Sequence, residues 1–505
     1  MRTSLVVPFL LSVVSLAVAQ EAPKTRAMSL VDCVQEALQH NLELQIERYN
    51  PEISLYDLRG SYAGWDPVFS VQGKHTYSLS GGGLDPETKL PSPSSTTDAD
   101  VFEAGIAGVA PWGLNYNLFG NINESYGEIS PVFLTNLPTL FDNTRGAVGV
   151  NLFQPLLKNF WIDQTRLNIA VSKNRFTFSE QGLRGKVMDI VTSVEKGYFD
   201  LIAAREKVKV QEKALQLAEQ LLSENKKRVE VGTLAPLDEK QAESQAAQRR
   251  TDLLSARQAQ SSAQNALKSL LTDNYREFHD VEIEPAEPLA VPALIFNLQD
   301  SWGKGLSQRP ELLQAKLDAE RQGIQLKYDR NQLYPQLDVI GSYGHSAGGA
   351  GIREFSDGFD QFRGGDQPFW SYGARLNVPL SNTAARNNYK ANKVALKQLL
   401  LKLKQTEQTI LTEIDNDVIA ARVGYERVNS TREGRRYAEA ALEAEQKKME
   451  SGKSTSFFVL QLQRDLTQAR SDEITALTDY NKSLAELARA EGSTLERRAV
   501  NVEVK

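Results

Sequence analysis

The chain has 505 residues, of which 41% are hydrophobic and 24% charged, and its formal net charge is −6. The mild acidity argues against a nucleic-acid-binding protein, and the length exceeds what one typical core needs. Because Cys33 is the single cysteine, an intrachain disulfide is excluded.

Residues 1–19 have the pattern of a secretory signal peptide. A basic residue precedes an apolar run, and Ala17-Val18-Ala19 supplies the small residues of a cleavage site. We therefore expect the mature chain to begin near Gln20. Cys33 lies in an amphipathic segment and not directly after the apolar run, which argues against a lipid anchor. No later segment has the ~18 consecutive apolar residues of a membrane helix, so any membrane crossing is expected to use strands.

The same order of landmarks occurs twice, which predicts an internal duplication. Pro67 of "DPVFSV" aligns with Pro335 of "YPQLDV", and Gly232 of "KRVEVGTLAPLD" aligns with Gly452 of "KKMESGKSTSFF". Each half is predicted to contain a helix, strands, a very long helix, a glycine break and a second helix. The predicted signal peptide, first repeat, second repeat and C-terminal tail cover 1–19, 20–290, 291–495 and 496–505.

Strands are predicted where the hydrophobic period changes to two. Phe69 and Val71, for example, alternate with Ser70 and Gln72. Such strands have one apolar and one polar face, as in a barrel wall between lipid and water, although a half-buried soluble sheet gives the same alternation. The predicted barrel strands cover 67–80, 143–155, 335–346 and 369–379.

The segments between the strands are rich in Gly, Ser, Pro and Asp. We expect residues 80–100 and 346–367 to form exposed loops. The segment 100–125 is either an additional hairpin around Pro111-Trp112-Gly113 or an elaborate outer loop. Four strands cannot close a wide barrel, and lipid does not tolerate open sheet edges, so closure would require several copies of the chain.

Each half ends in a predicted long helical hairpin, at 157–271 and 383–491. Val187, Val194, Leu201 and Val208 recur at intervals of seven, as in a coiled-coil seam. A continuous helix over 157–230 would extend about 110 Å at ~1.5 Å per residue. The core seam of an ordinary soluble bundle is the alternative explanation of this periodicity.

The second glycine break, Gly452-Lys453-Ser454-Thr455, looks like the end of a phosphate-binding loop. That loop requires a second glycine at position 447, which is a lysine here, and it follows a strand, whereas this segment follows an Ala-, Glu- and Lys-rich helix. The sequence therefore argues against a nucleotide site. Gly452 and Gly232 are better explained as turn glycines that end a helix in a left-handed conformation.

Three segments together resemble the TolC-like outer-membrane efflux proteins of Gram-negative bacteria: "FQPLLKNF" (153–160), "RVEVGTLAPLD" (228–238) and "GKSTSFFVLQLQRDLTQAR" (452–470). The resemblance covers nearly the whole mature chain. It implies a mainly α fold with a membrane β portion, in which three chains share one transmembrane β-barrel and their helices form a hollow coiled-coil tunnel. It also implies an exit channel for efflux or type I secretion, with a periplasmic adaptor, an inner-membrane pump of the RND, ABC or MFS type, and outer-membrane lipid as partners.

The resemblance assigns functions to the two glycine breaks, which would be the periplasmic tips of the hairpins. Thr455 and Asp238 would cap or support the helices that follow. The candidate adaptor-contacting residues are Gly232, Thr233, Leu234, Pro236, Asp238, Gly452, Lys453, Ser454 and Thr455.

Phe458 and Gln461 are the candidate residues of the periplasmic aperture. Family members can carry an arginine and two acidic residues where this chain has Ser454, Phe458 and Gln461. We therefore expect apolar contacts around Phe458, and not a carboxylate ring, to hold the aperture closed. That Phe458 is an ordinary packing residue remains an alternative.

An enzyme is not expected from this sequence. The four histidines have no neighbours at metal-ligand spacing, Asp415 and Asp417 do not share a helix face, and no nucleophile motif occurs. We expect no catalytic, metal or cofactor site and no nucleic-acid partner. The alternative functions are a secreted coiled-coil scaffold, which would not need the duplicated strands, and a periplasmic adaptor, which would need only one hairpin.

Overall fold

The computed structural model describes residues 24–84, 91–92, 94–129, 139–292, 296–349 and 352–500. The predicted signal peptide at 1–19 lies outside these residues. The chain divides into two compact units, and each unit combines parts of both sequence halves. The first unit comprises Met1–Ile46, Lys186–Gln308 and Leu411–Val502, and the second comprises Glu47–Gly185, Arg309–Ile410 and Glu503–Lys505.

Helices make up most of the described chain. In chain order they are α1 Leu30–His40, α2 Leu42–Ser61, a 3₁₀ turn Tyr62–Trp65, α3 Gln164–Glu230, α4 Pro236–Leu271, α5 Tyr275–Phe278, α6 Leu298–Gln308, α7 Pro310–Asn331, α8 Phe355–Gly364, α9 Thr383–Glu450, α10 Ser456–Ala490 and α11 Thr494–Arg497. Across the described residues, none of these helices combines the length and the apolar character that a membrane crossing requires.

The strands fall into one large sheet and two small pairs. In chain order they are β1 Lys24–Met28, β2 Val68–Ser80, β3 Gly83–Leu84, β4 Pro91–Ser92, β5 Ser95–Val109, β6 Asn115–Ile129, β7 Thr139–Pro155, β8 Val281–Pro285, β9 Gln336–Ala347 and β10 Pro368–Asn377. The large sheet lies in the second unit, has the order β10-β9-β7-β6-β5-β2 and is antiparallel throughout.

The core of the first unit follows the seams that the heptads predict. Val187, Val194, Leu201 and Val208 of α3 are buried. After Val208 the buried row changes to Ala214, Ala218 and Leu221, so that Leu215 and Leu222 are only half-buried. An α-helix drifts relative to a strict seven-residue repeat, which explains this change of row. In α9 the buried residues are Ile414, Ala421, Val428 and Leu442.

Buried polar groups attach the short strands of the first unit to the long helix α3. The strands β1 and β8 form a parallel pair. Tyr198 of α3 is fully buried, and its hydroxyl donates a hydrogen bond to the carbonyl oxygen of Met28 at 3.1 Å. Burial raises the pKa of Tyr198 to about 12 and, nearby in α1, the pKa of Cys33 to about 12. Both groups are therefore neutral at physiological pH.

The prediction that a helix begins at residue 157 is wrong, because α3 begins at Gln164. Asn159 has a positive φ of 65°, which interrupts a helix. Its backbone N–H donates to Oδ1 of Asn331 at 2.6 Å. The helix starts only where Oδ1 of Asp163 accepts the N–H of Arg166 at 2.8 Å, which is the geometry of an N-cap.

The sheet has six strands, which are the four predicted and the hairpin β5–β6 at residues 95–129, so the segment 100–125 is the additional hairpin and not an outer loop. Its turn contains Pro111-Trp112-Gly113, and Gly113 adopts a φ of 92°. Part of the segment expected to be a loop, residues 95–100, is therefore strand. The other strands cover Val68–Ser80, Thr139–Pro155, Gln336–Ala347 and Pro368–Asn377, so β7 starts four residues earlier and β10 ends two residues earlier than expected.

The second expected loop, 346–367, contains the helix α8. Glu354 and Asp357 form a capping box at its start, and Gly365 at its end has a φ of 68°. Such a left-handed residue is a common helix terminator. The expectation of a loop was wrong here because the segment is dense in glycine.

Candidate functional site

The first helical hairpin turns at Gly232, which has a φ of 75°. The N–H of Gly232 donates to the carbonyl of Val229 at 2.9 Å, and the N–H of Thr233 donates to that of Arg228 at 2.8 Å. This pair of bonds is a Schellman motif, which satisfies the last carbonyls of α3. Pro236 then occupies the first position of α4, where its missing N–H has no cost.

The second hairpin turns in the same way at Gly452, which has a φ of 74°. The N–H of Gly452 donates to the carbonyl of Met449 at 3.0 Å, and the N–H of Lys453 donates to that of Lys448 at 2.8 Å. The Gly-Lys-Ser-Thr segment thus connects two helices and does not follow a strand. This geometry gives no support to a phosphate-binding loop.

The expected caps of the following helices are not formed. Thr455 occupies the N-cap position of α10, but its side chain makes no capping hydrogen bond. Ala235, and not Asp238, is the N-cap of α4. Asp238 lies in the first turn, where a carboxylate interacts favourably with the helix dipole.

Asp238 also contacts the other hairpin. The hydroxyl of Ser456 in α10 donates to Oδ1 of Asp238 at 3.3 Å. Within the first hairpin, Nδ2 of Asn225 in α3 donates to the carbonyl of Asp238 at 3.5 Å. Ser456 and Asn225 are 4% and 1% exposed. The sequence analysis missed both residues, although Asn225 continues the buried row of Ala218 and Leu221. The signal in the sequence was a polar residue, Asn225, at a position that the helical period places in the core.

An apolar cluster lies beside this polar link. Its buried members are Leu221, Leu442, Val459, Leu460 and Leu466. They come from α3, α9 and α10, so the two hairpins are packed together near their tips. The tips are thus positioned by a shared core.

Ser454, at the position where the resemblance implies an arginine in some family members, bonds within its own hairpin. Its hydroxyl donates to Oε1 of Glu445 at 2.5 Å, while Nζ of Lys448 lies 3.1 Å from Oε2 of the same carboxylate. The hydrogen bond from Ser454, together with Lys448, lowers the pKa of Glu445. The carboxylate is therefore ionised at neutral pH and supports the last turn of α9.

The outer surface of both tips is accessible. Leu234, Asp238 and Ser454 are partly buried, and the remaining predicted contact residues are exposed: Gly232, Thr233, Pro236, Gly452, Lys453 and Thr455. Val231 and Leu237, which the sequence analysis did not select, are 72% and 66% exposed. The tips therefore present apolar as well as polar groups at their surface.

The predicted aperture residues lie on an exposed face of α10. Phe458 is 52% exposed, and its neighbour Phe457 is 55% exposed. The two rings meet edge to face with centroids 5.6 Å apart. Gln461 is exposed one turn later. Within one chain Phe458 is thus not a core residue, and Phe457 is an aromatic neighbour that the sequence analysis did not select.

The two faces of the six-stranded sheet differ in chemistry. One face exposes Phe69, Val71, Leu118 and Tyr343, whereas the other carries Ser70, Gln72, Asn117 and Ser342. Among the residues that the structure describes, no group of three or more His, Cys, Asp or Glu side chains is arranged to hold a metal ion.

Comparisons with known proteins agree with this architecture. The family model described as outer membrane efflux protein matches residues 114–272 and 303–493. Outer membrane efflux protein BepC of Brucella suis biovar 1 (strain 1330) is 22% identical over 400 residues, which cover 77% of this chain and 81% of the relative.

Solved structures share the fold at low sequence identity. The outer membrane protein VceC of Vibrio cholerae superposes with a TM-score of 0.66 and 17% identity, over 92% of this chain and 96% of that one. The CmeC outer membrane channel of Campylobacter jejuni gives 0.64 and 15%, over 92% and 86%.

Proposed function

This chain belongs to the outer membrane efflux protein family, and we propose that it is the exit channel of a tripartite efflux or type I secretion system. It is an outer-membrane protein that extends into the periplasm. In the proposed system an inner-membrane pump delivers substrates, and this protein passes them to the exterior. The observation that carries the proposal is an open sheet that has an exposed apolar face and, among the residues that the structure describes, two edge strands with no partner on their outer sides.

Closing the sheet requires strands from further copies of the chain. In the order β10-β9-β7-β6-β5-β2, the outer sides of β2 and β10 have no partner strand among the described residues. Unpaired backbone groups cost several kcal/mol each in hydrocarbon, so a membrane sheet must close on itself. Three copies of a six-stranded sheet would supply eighteen strands, and barrels of about 16–18 strands leave an aqueous channel.

The orientation of this wall follows from its two faces. The face with Phe69, Val71 and Leu118 would contact lipid, and the face with Ser70 and Gln72 would line the pore. The helices of the three copies would continue as a periplasmic tunnel. The proposed assembly is therefore a homotrimer.

The hairpin tips are the proposed docking surface for a periplasmic adaptor. Each turn is closed by a Schellman motif, and the Ser456–Asp238 hydrogen bond joins the helices that follow the two turns. Their exposed apolar and polar groups suit a helical partner. Substrate choice would then reside in the pump, because an open duct needs no binding pocket.

Phe458 and Gln461 are proposed to line the closed aperture. An exposed aromatic ring on each of three copies can meet its counterparts around the pore axis and exclude water from the constriction. Because neither residue is charged, the aperture should lack the strong cation affinity of a carboxylate ring.

Planar-bilayer recordings of the detergent-extracted protein, with the oligomer mass measured in parallel, test the channel. We expect discrete, long-lived conductance steps from a trimer. A soluble monomer or dimer without conductance would refute the channel and favour the scaffold alternative.

The aperture is tested in the same recordings with a trivalent cation. The native protein should resist block, and Gln461→Glu should create it, because three carboxylates would then converge. Gln258→Glu, the same replacement at an exposed position of α4, is the matched control and should leave the response unchanged. Strong block of the native channel would contradict the uncharged aperture.

A further inference from the structure

The helix α8 lies on the apolar face of the six-stranded sheet. The ring of Phe355 meets Phe102 of β5 edge to face, with centroids 5.2 Å apart. A Cβ added to Gly358 would lie 2.8 Å from Cδ1 of Ile122 in β6, so this glycine lets the helix approach the strand. Ile122 is 6% exposed and Thr144 only 1%, because α8 covers them.

Hydrogen bonds attach the segment before α8 to β7, and α8 itself to the residue that follows β9. Thr144 of β7 donates through its hydroxyl to the carbonyl of Arg353 at 2.8 Å, and through its N–H to that of Ile352 at 3.2 Å. The side-chain oxygen of Gln361 accepts the N–H of Gly348 at 2.7 Å. The helix is therefore held in a defined position on the sheet surface.

The position of α8 along the strands coincides with a change in chemistry. On this face, successive cross-strand pairs of β2 and β5 are Phe69–Ile106, Val71–Ala104, Gly73–Phe102, His75–Asp100 and Tyr77–Asp98. The pairs between Phe102 and the end of the sheet nearest the long helices are apolar. Beyond it His75 bonds Asp100, with Nδ1 and Oδ1 2.8 Å apart.

The neighbouring strands show the same boundary. In β6, Leu118 and Gly120 precede Ile122, and Glu124 follows it; in β7, Gly146 pairs with Ile122 and Thr144 with Glu124. An apolar wall gives way to charge where a bilayer ends. Since α8 connects β9 and β10 at the end away from the long helices, this boundary is the external one in the proposed orientation.

We propose that α8 is an interfacial helix that contacts lipid at the external surface of the outer membrane. Phe359 is its contact residue, because it is 59% exposed while Phe355 and Phe362 on either side of it are partly buried. Amphipathic helices with exposed aromatic residues rest at the boundary between headgroups and acyl chains. The helix thus fixes the height of the sheet in the bilayer. This inference rests on the proposed function, since it requires the apolar face to be in a membrane.

Depth-dependent fluorescence quenching tests the inference. In a Cys33→Ser background, bimane is attached at Phe359→Cys, at Tyr372→Cys or at Tyr437→Cys, and the protein is reconstituted into phosphatidylcholine vesicles. Tyr372 is 82% exposed on the same sheet face in β10, and Tyr437 is 73% exposed on α9. The vesicles contain phospholipid with a nitroxide at the headgroup or in mid-chain.

We expect the label at position 359 to be quenched at least about twofold more by the headgroup nitroxide than by the mid-chain nitroxide. The label at 372 should show the opposite preference, and the label at 437 should not respond to either lipid. An unquenched label at 359 beside a quenched label at 372 would overturn the role of α8 and leave the channel intact. If the label at 372 is also unquenched, the membrane assignment of the sheet fails.

Discussion

Replacing Gly452 with alanine should destabilise the second hairpin tip, whereas the same replacement at Gly434 should stabilise the helix that leads to it. Both glycines are in open space, where an added Cβ meets no atom within 4 Å. They differ in backbone conformation, because Gly452 has a φ of 74° and Gly434 lies within α9. The pair therefore separates conformational strain from steric contact.

The expected magnitudes are similar and opposite in sign. A non-glycine residue in the left-handed region costs about 1 kcal/mol or more. Glycine in a helix interior costs about 0.5–1 kcal/mol relative to alanine, so Gly434→Ala recovers that amount. A change of about 1 kcal/mol alters an opening equilibrium roughly fivefold at 25 °C.

Hydrogen–deuterium exchange followed by mass spectrometry measures both effects locally. In Gly452→Ala, peptides over 444–460 should exchange about fivefold faster, since the turn bonds to Met449 and Lys448 open more often. Peptides around 434 should exchange more slowly in Gly434→Ala. Asparagine tolerates the left-handed region, so Gly452→Asn should fall between alanine and the native protein.

Unchanged exchange at the tip in Gly452→Ala would refute this explanation. It would mean that the turn keeps its bonds in another backbone conformation. Faster exchange in both alanine variants would show that a methyl group is harmful at any position on this hairpin.

Three further outcomes are expected. The buried hydroxyl of Tyr480 donates to a backbone carbonyl at 2.6 Å, so Tyr480→Phe should lower the free energy of unfolding by about 1 kcal/mol in guanidinium titrations, whereas Tyr437→Phe, at an exposed position, should not. Cys33 is fully buried and its pKa is raised to about 12, so maleimide at pH 8 should label it only after denaturation. Because the pKa of Glu445 is lowered, its stabilisation is present above the ordinary glutamate pKa of 4.5 and is lost as the pH falls through the lowered value; the melting-temperature difference between native protein and Ser454→Ala should shrink over that range.

The hairpin turns were predictable from sequence because their cause is local. A glycine between two helical patterns is the usual means of reaching a positive φ, and both Gly232 and Gly452 have one. The start of α3 was not predictable in this way. Asn159 is held by Asn331, which is 172 residues away in sequence, and the apolar segment around it otherwise looks helical.

The helix α8 escaped detection for a related reason. Its glycines favour a loop in any local reading, yet Gly358 is there because Ile122 of a distant strand leaves no room for a side chain. The aromatic spacing of Phe355, Phe359 and Phe362 was the signal in favour of a helix. The contact between Gly358 and Ile122, which exists only in the folded sheet, decides between a loop and a helix.

The two tips show how corresponding positions of two similar turns can make different contacts. Counted from the turn glycines, Pro236 corresponds to Ser456, and Asp238 corresponds to Phe458. The carboxylate of Asp238 in the first tip accepts the hydrogen bond from Ser456 in the second tip. The donor is therefore the first residue of α10, and the acceptor is the third residue of α4. Pro236 and Phe458 take no part in this bond, and Phe458 is exposed in a single chain. A bond between the two hairpins requires only one donor and one acceptor, so it does not need Phe458, and in the proposed trimer this residue is available for contacts with other copies of the chain.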